Sequence, residues 1–387
     1  MPRTLSAKKF GRLPSFKSVL FPLVGASDGI PELVSGSNRD LKMTFEDQLK
    51  VMVYFHLKDF QSGRHLLQDL REDDFAKEFI APNGGLGKST FFDSLNERGL
   101  EQFLHVFQNL FKQARKQIPK EFSELGDLVA IDGSLIDSVL SMVWADYRKG
   151  SKKAKVHFGF NVNCSIPQKV FLTEGNGAER PFVQKIVEPG QTGIMDRGYQ
   201  NHDLFDQWQT NDVHFVCRIK GNTHKTCIKE LPFESGDNIF YDAIVRLGQP
   251  GINETKKELR LVGYEIGSKK YWVATDRFDL TAKQIALIYK LRWNVESFFA
   301  WWKRHMRVYH LISRSKHGLM VQILSGLITY LLLAIYCNNE FGEKVNIKRV
   351  RTLQIKIANE IRQLDQEPPD LDLLEEATTA TLTLANS

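Results

Sequence analysis

Two short apolar runs in the middle of the chain each end at an aspartate. LVAID occupies residues 128–132, and GIMDRGY occupies residues 193–199 with Asp196 directly after its apolar part. An apolar run of this length is typical of a strand buried on both faces, as in a parallel sheet that helices cover. Site residues in such sheets lie at the carboxyl ends of the strands. The two runs therefore predict an α/β fold in which Asp132 and Asp196 can share one face.

Further strands are predicted around these two runs. KVHFGFNV at 155–162 alternates strictly between apolar and polar residues, as a half-buried strand does. KVFLT at 169–173 and VHFVCRIK at 213–220 are also predicted to be strands, and a strand-rich polar interval continues to about residue 276. The sequence thus places a sheet in the central half of the chain.

The first 125 residues show helical periodicity instead. Predicted helices begin near Thr44, Ser62, Ser89 and Leu100. Short basic helices joined by tight turns could form a helix-turn-helix module, and a plain helical bundle is the alternative. PNGGLGKST at 82–90 resembles a phosphate-binding loop, but Pro82 stands where that loop needs glycine. No nucleotide cofactor is therefore expected.

One aromatic segment, YKLRWNVESFFAWWKRH at 289–305, carries a single acid. On a continuous helix, at about 100° per residue, Tyr289, Arg292, Glu296 and Lys303 form one narrow stripe. The opposite side is apolar and would dock on a core. An ordinary solvated face with an Arg292–Glu296 ion pair is the alternative. Between residues 289 and 317 there are seven Lys or Arg but only one acid, which favours a metal ligand beside a phosphate backbone.

Three carboxylates, those of Asp132, Asp196 and Glu296, are thus the candidates for a shared site. If they converge, they repel one another unless divalent cations lie between them. Oxygen ligands without a cysteine or histidine cluster favour Mg²⁺ or Mn²⁺ over Zn²⁺. The residues alone leave open whether this is a two-metal site for phosphoryl transfer or a set of ordinary strand-end acids.

Composition narrows the class of protein. The net charge of +6 over 387 residues permits a nucleic-acid partner without requiring one. The four cysteines form no C-x-x-C pair, and no signal peptide is recognisable, so a reduced intracellular protein is expected. The run at 318–337 is apolar enough to resemble a membrane span, but a buried core helix fits the same pattern, and no membrane partner is expected.

Tyr289, Arg292, Glu296 and Lys303 match the pattern Y-x2-R-x3-E-x6-K. This pattern resembles the signature of bacterial insertion-sequence transposases of the DDE type, in insertion-sequence family four. IDGS at 131–134 is similar to the first-aspartate motif of that family, and MDRGY at 195–199 is similar to the second. The likeness runs from about residue 125 to 340 and includes KVHFGF at 155–160 and FVCRIKGN at 215–222.

The resemblance implies an RNase H-like core, in which helices flank a mixed sheet. It implies a helical N-terminal domain at 1–125 with possible DNA binding, core segments at 126–221 and 279–340, a β-rich insertion at 222–278, and a C-terminal helix with an acidic tail at 341–387. For the insertion, a second small sheet packed for stability is the compatible alternative.

The resemblance also implies roles for single residues. Asp132, Asp196 and Glu296 would be catalytic and would hold two Mg²⁺ ions, for which Mn²⁺ can substitute. DNA-binding residues would be Tyr289, Arg292, Lys303, Arg197, Arg218, Lys220 and Trp293. Cleavage through a DNA hairpin would require an aromatic side chain to stack a flipped base, and the candidates, Trp272, Trp293 and Trp301, could equally be core residues.

The function that follows from the resemblance is cut-and-paste DNA transposition. The protein would act on double-stranded DNA, at the inverted repeats of the transposon ends and at the target, as a homodimer in the bacterial cytoplasm in association with the nucleoid. Two alternatives stay open at this point. One is a metal-dependent nuclease of the same fold that does not join DNA, and the other is a catalytically silent DNA-binding regulator.

Overall fold

The computed structural model describes residues 14–33, 41–58, 60–148, 151–233, 238–305 and 310–366. Within them, nine strands form one sheet. The strands are β1 Asp127–Asp137, β2 Lys153–Asn161, β3 Ile166–Glu174, β4 Gln191–Met195, β5 His214–Arg218, β6 Lys225–Glu230, β7 Ile239–Leu247, β8 Leu259–Ile266 and β9 Lys269–Thr275. Their order across the sheet is β3-β2-β1-β4-β5-β9-β8-β7-β6.

The first five strands form the mixed part of the sheet. β1, β2 and β3 pair antiparallel, while β4 runs parallel to β1 and β5 runs parallel to β4. Parallel neighbours need crossover connections, and helices supply them here. The predicted α/β fold with an RNase H-like core is confirmed.

The strands of the segment 222–278 extend this same sheet. β9 pairs antiparallel with β5, and β8, β7 and β6 follow outward. The segment is strand-rich, as predicted, but the alternative of a separate small sheet is wrong. Inside it, the buried side chains of Asp242 and Arg260 form an ion pair at 2.7 Å, and the Arg260 guanidinium also donates to the carbonyl oxygen of Leu280. These bonds tie the added strands to the chain that leads back into the core.

Helices cover both faces of the sheet. They are α1 Pro14–Leu20, α2 Pro22–Ala26, α3 Phe45–Leu57, α4 Gly63–Glu72, α5 Lys88–Glu97, α6 Leu100–Gln117, α7 Val183–Ile186, α8 His202–Thr210, α9 Ala282–Leu291, α10 Trp293–His305, α11 Lys316–Phe341 and α12 Ile347–Gln366. One core joins α9, α10, α11 and the N-terminal helices to one face of the sheet, and a smaller core joins α7 and α8 to the other.

The N-terminal helices begin where the capping pattern predicts. The side chain of Thr44 accepts from the backbone N–H of Asp47, and the Asp47 carboxylate accepts from the N–H of Thr44, which is a complete capping box. Ser62 caps α4 in the same way through the N–H of His65. The loop at 82–90 follows the π-helical turn Ala76–Ile80 and leads into α5, so it lacks the preceding strand that a phosphate-binding loop requires.

Helix α11 is the apolar run that resembles a membrane span. It is long and apolar enough to cross a membrane, but 94% of its most apolar window is buried within the fold. It contacts α3, α5 and α6 on one side and β3 on another. The N-terminal helices therefore share their core with α11 and, through it, with the sheet, which explains the apolar composition by packing. The predicted acidic tail lies almost wholly outside the described residues.

Candidate active site

Asp132 and Asp196 lie next to each other on neighbouring strands. β1 and β4 run parallel, and their last paired residues are Ala130 and Ile194. Asp132 and Asp196 each follow two residues later, so both leave the paired region at the same level, on strands spaced about 4.8 Å apart. β1 itself continues to Asp137 in pairing with β2, so the strand is longer than the apolar run predicted. The carboxylate of Asp196 accepts from the N–H of Gly198 at 2.8 Å and thereby starts a 3₁₀ turn.

The aromatic segment is two helices, so the prediction of one continuous helix across 289–305 is wrong. α9 ends at Leu291 and α10 begins at Trp293. At the junction the N–H of Arg292 donates to Tyr289 at 3.2 Å, and the N–H of Val295 donates to Arg292 at 3.2 Å. These are three-residue steps, which tighten the turn relative to an α-helix. Arg292 itself keeps helical backbone angles, with φ −53° and ψ −32°, so the chain makes one tight step between the two helices.

The apolar side of α10 docks on the sheet as predicted. The ring of Phe298 stacks on Phe158 of β2, with 5.1 Å between centroids, and lies 5.0 Å from Phe160. Trp302 is fully buried beside them. Glu296 lies close enough to Asp132, at the end of the apolar part of β1, for its charge to raise the pKa of Asp132.

Arg292 joins two of the three candidate carboxylates. Its Nη2 donates to Oε1 of Glu296 at 2.5 Å, and its Nη1 lies 4.0 Å from Oδ2 of Asp132. Arg292 is only 8% exposed. A buried, planar guanidinium with several fixed donors is well suited to hold two carboxylates at once. In this structure the Arg292 side chain faces carboxylates, whereas the sequence predicts that it binds DNA.

Burial makes ionisation of Asp132 unfavourable. Loss of hydration raises the pKa of Asp132 to about 6, the neighbouring Arg292 and the N–H of Gly133 act in the opposite direction, and the negative charges of Asp196 and Glu296 raise the pKa further. Above pH 6 the carboxylate of Asp132 is charged in the folded protein, although its environment is poorly hydrated. The aspartate therefore costs stability at neutral pH.

Replacing Asp132 by asparagine is expected to stabilise the metal-free protein. The folded-state pKa is raised above the unfolded value, so the penalty is absent below about pH 4 and complete above about pH 6. We expect Asp132→Asn to increase the free energy of unfolding by roughly 1–3 kcal/mol at pH 8, with the gain vanishing toward pH 4. Urea unfolding in the presence of a chelator, across this pH range, measures the difference.

Asp137 offers the matched control for that experiment. It lies on the same strand, but its side chain is 77% exposed and forms a surface ion pair with Lys153. Asp137→Asn should change the free energy of unfolding by at most about 1 kcal/mol. An Asp132→Asn variant that is less stable than the wild type at pH 8 would contradict the argument from burial.

Two of the three candidate carboxylates are arranged as a hard divalent cation requires. Asp132 and Asp196 are adjacent carboxylates, one of them poorly hydrated, and oxygen ligands of this kind suit Mg²⁺ or Mn²⁺. Among the residues that the structure describes, no three His, Cys, Asp or Glu side chains form a group that could hold a metal. Glu296 is instead bonded to Arg292. The bond to Arg292 uses Oε1 of Glu296, so the second carboxylate oxygen could still serve as a ligand beside the two aspartates.

The other residues predicted to bind DNA differ widely in exposure. Arg197, which follows Asp196 in the chain, and Lys220, which lies just beyond β5, are exposed, and Trp293 is 59% exposed at the start of α10. Arg218 lies over the ring of Tyr271, with 4.8 Å to the centroid. Lys303 donates to the carbonyl oxygen of Leu135 on β1 at 3.2 Å.

Tyr289 and two tryptophans are packed more closely. Tyr289 is 4% exposed, and burial raises the pKa of its hydroxyl. The Arg292 guanidinium lies 5.9 Å from the centroid of the Tyr289 ring. Trp272 packs against Phe240 and Tyr241, and Trp301 packs against Tyr330. Of the three tryptophans considered for base stacking, Trp293 is thus the one with a largely exposed ring.

Two residues near the aspartates were not singled out from the sequence. Tyr199 is 1% exposed, its hydroxyl has no hydrogen-bond partner among the described residues, and burial followed by the charges of Glu179, Asp132 and Asp196 raises its pKa. Glu179 pairs with Lys155 at 3.2 Å and approaches the backbone of Gly133 so closely that a side chain there would collide with it. The MDRGY motif contains Tyr199, but only the fold reveals Glu179.

Comparisons with known proteins agree with this geometry. The family model described as the transposase DDE domain matches residues 124–332, which is more than half of the chain. A protein of Geobacillus stearothermophilus named as a transposase for insertion sequence element IS5377 is 26% identical over 193 residues, which cover 49% of this chain and 51% of that protein. The chain thus spans about half the length of this relative.

A second relative matches over a longer stretch. A protein of Synechocystis sp. named as a transposase for insertion sequence element IS4SA is 24% identical over 280 residues, which cover 70% of this chain and 78% of that protein. A solved structure, the piggyBac transposase synaptic complex with hairpin DNA, aligns with 95% of this chain and 84% of that chain. Its sequence identity is 14% and its TM-score is 0.43, a likeness too low to support a conclusion about this chain.

Proposed function

The chain belongs to the family of proteins with a transposase DDE domain, and from that premise we propose that it is a DNA transposase of an insertion sequence. It would cleave DNA at the ends of the element and join those ends to target DNA by a cut-and-paste route. The names of its relatives support the proposal. The observation that carries it is the adjacency of Asp132 and Asp196 on parallel strands, with Arg292 holding Glu296 toward them.

The chemistry we propose is phosphoryl transfer by these carboxylates. When bound, two divalent cations, Mg²⁺ or Mn²⁺, supply activation of the attacking oxygen and stabilisation of the leaving oxygen at phosphorus. Asp132 and Asp196 would hold them, with Glu296 as a third ligand. The buried guanidinium of Arg292 would keep the acids together before the cations bind, since mutual repulsion otherwise drives them apart.

Residues around the carboxylates would bind the DNA. Arg197 and Lys220 are exposed and would contact phosphates, together with Arg218 and Lys303. The exposed ring of Trp293 would stack a base that leaves the duplex, as a hairpin intermediate requires. Tyr289, which is buried, would brace α9 against the site.

The partners in this proposal are the inverted repeats of the element and a target duplex. Two ends must be brought together, so we propose a homodimer in the DNA complex. The protein would act in the bacterial cytoplasm, associated with the nucleoid. One observation favours a second candidate, a silent DNA-binding regulator, because Glu296 is bonded to Arg292 and is not grouped with the two aspartates as a metal ligand.

DNA cleavage and joining in one reaction tests the function. A labelled fragment that carries the flanking sequence of the gene is incubated with the protein and Mg²⁺ or a chelator, together with a supercoiled target plasmid. A transposase should cut at a discrete end only with metal and should transfer the label to the plasmid. Cutting without transfer would favour the nuclease, and binding without cutting under Mg²⁺ or Mn²⁺ would favour the regulator.

A further inference from the structure

A basic groove runs along β3, which is the edge strand of the sheet. Its volume is about 950 Å³. Helix α6 forms one wall, β3 forms the floor, and the segment around α7 forms the other wall. β1, which carries Asp132, is two strands further into the sheet, and α10 and α11 pack on the face between them. The groove is therefore separate from the candidate active site.

The charge of this groove differs sharply from that of the whole chain. Over 387 residues, 52 Lys and Arg nearly balance 46 Asp and Glu. The groove is lined by six basic residues and one acid, Glu188, which gives a net charge of +5 (six minus one). The basic residues are Lys112, Arg115, Lys116, Lys120, Lys169 and Lys185. Such a concentration of one sign in a concave surface attracts a polyanion.

The lysines of the α6 wall hold the part of this charge that is available to a ligand. Arg115 is paired with Asp127 at 2.6 Å, and Lys169 is paired with Glu188 at 3.0 Å. Lys112, Lys116 and Lys120 are exposed, and within the described residues none of them forms an ion pair. Three unpaired ammonium groups that share one wall repel one another, and an anion in the groove would relieve that repulsion.

The spacing of these lysines suits a phosphate backbone. Lys112 and Lys116 are one helical turn apart, which is a rise of about 6 Å. Along the axis of duplex DNA each strand carries one phosphate per about 3.4 Å, so two lysines one helical turn apart can reach different phosphates of the same strand. Lys120 lies beyond the end of α6, after the extended residue Ile118, and also lines the groove. We propose that the groove between α6 and β3 binds the phosphate backbone of duplex DNA, as a second DNA contact remote from the carboxylates; this inference rests on the proposed function.

The apolar lining favours a duplex over single-stranded DNA. Proteins that bind single strands offer exposed aromatic rings on which bases stack. In this groove Phe107 is buried, and Phe111 and Phe171 are half-buried. The ring of Phe171 is already packed against Phe182 at 5.3 Å between centroids. The groove therefore offers ammonium groups to phosphates, and none of these three rings is exposed for a base to stack on.

Salt dependence of DNA binding tests the groove. The variant Lys112→Ala/Lys116→Ala/Lys120→Ala is compared with the wild type by fluorescence anisotropy of a labelled duplex between 50 and 200 mM KCl. Each phosphate contact contributes about 0.9 to the slope of log K against log salt, so loss of three should reduce the slope by about 2.7. Over this fourfold range the wild type should then lose about 40-fold more affinity than the variant.

A control variant with the same loss of charge distinguishes an effect of the groove on DNA binding from an effect of the net charge of the protein. Lys229, Lys269 and Lys348 are exposed and lie outside the groove. Their triple alanine variant also lowers the net charge from +6 to +3 but should keep the wild-type slope. Circular dichroism establishes that all three proteins are folded. Equal slopes for both variants, or loss of single-strand binding with duplex binding unchanged, would overturn the inference.

Failure of the proposed function and failure of the groove proposal give different experimental results. If the wild type binds no duplex at any salt concentration, both the function and the groove fail together. If the wild type binds and cuts DNA but the groove variant matches it in affinity and slope, the groove alone is refuted and the active-site assignment stands.

Discussion

Replacing Glu296 by glutamine should lower the rate of metal-dependent DNA cleavage by about a thousandfold or more. The amide keeps the size of the side chain but removes the negative charge that would complete a cation site. Loss of about 4 kcal/mol of transition-state stabilisation corresponds to this factor, at 1.36 kcal/mol per tenfold. The measurement is the single-turnover rate with Mg²⁺ at saturating DNA. Asp132→Asn and Asp196→Asn should have effects of the same size.

The control for this prediction is Asp137→Asn, because Asp137 is an exposed acid on the strand that also carries Asp132. Its cleavage rate should stay within about twofold of the wild type, since surface ion pairs contribute little. A different pattern would be informative. If Glu296→Gln cuts at the wild-type rate while both aspartate variants are inactive, the site has two carboxylate ligands and Arg292 keeps Glu296 out of it.

The sheet was the most predictable part of this protein, because the sequence patterns that indicate its strands are local. Strict alternation at 155–162 places Phe158 and Phe160 on one face, and the structure buries both against α10. The two apolar runs predicted neighbouring aspartates, and the parallel pairing of β1 with β4 brings Asp132 and Asp196 to the same level. The uninterrupted apolar runs reflect burial of the residues themselves, but the half-buried strand predicted at 155–162 is buried on both faces, because His157 and Asn161 are also covered.

The helix that carries Glu296 was predicted less well, because its break depends on tertiary contacts. The period of 3.6 residues continues through Arg292, and no Gly or Pro marks an interruption. The structure breaks the helix there and buries the Arg292 guanidinium between Glu296 and Asp132, which is distant in the sequence. Long-range pairing also decided the place of the 222–278 segment, where Val216 of β5 pairs with Thr275 of β9. Neither contact leaves a local pattern in the sequence.

Phe298 is where the packing of α10 should matter most for stability. Its ring contacts Phe158 and Phe160 on β2 and Tyr330 on α11, at 4.9 to 5.1 Å between centroids. Phe298→Ala removes a buried ring at the joint of a strand and two helices, and a cavity would remain. We expect a loss of about 3–5 kcal/mol in the free energy of unfolding. Urea unfolding followed by circular dichroism measures it.

Trp293 lies on the same helix and provides the matched comparison. Its ring is 59% exposed, so Trp293→Ala should change the free energy of unfolding by no more than about 0.5 kcal/mol. If Trp293 stacks a base, the same variant should nevertheless weaken cleavage of DNA at the transposon end. Equal destabilisation by both variants would contradict the docking of α10 described above. Opposite outcomes, with stability lost at Phe298 and DNA cleavage lost at Trp293, would mean that one face of this short helix builds the core while the other serves the DNA.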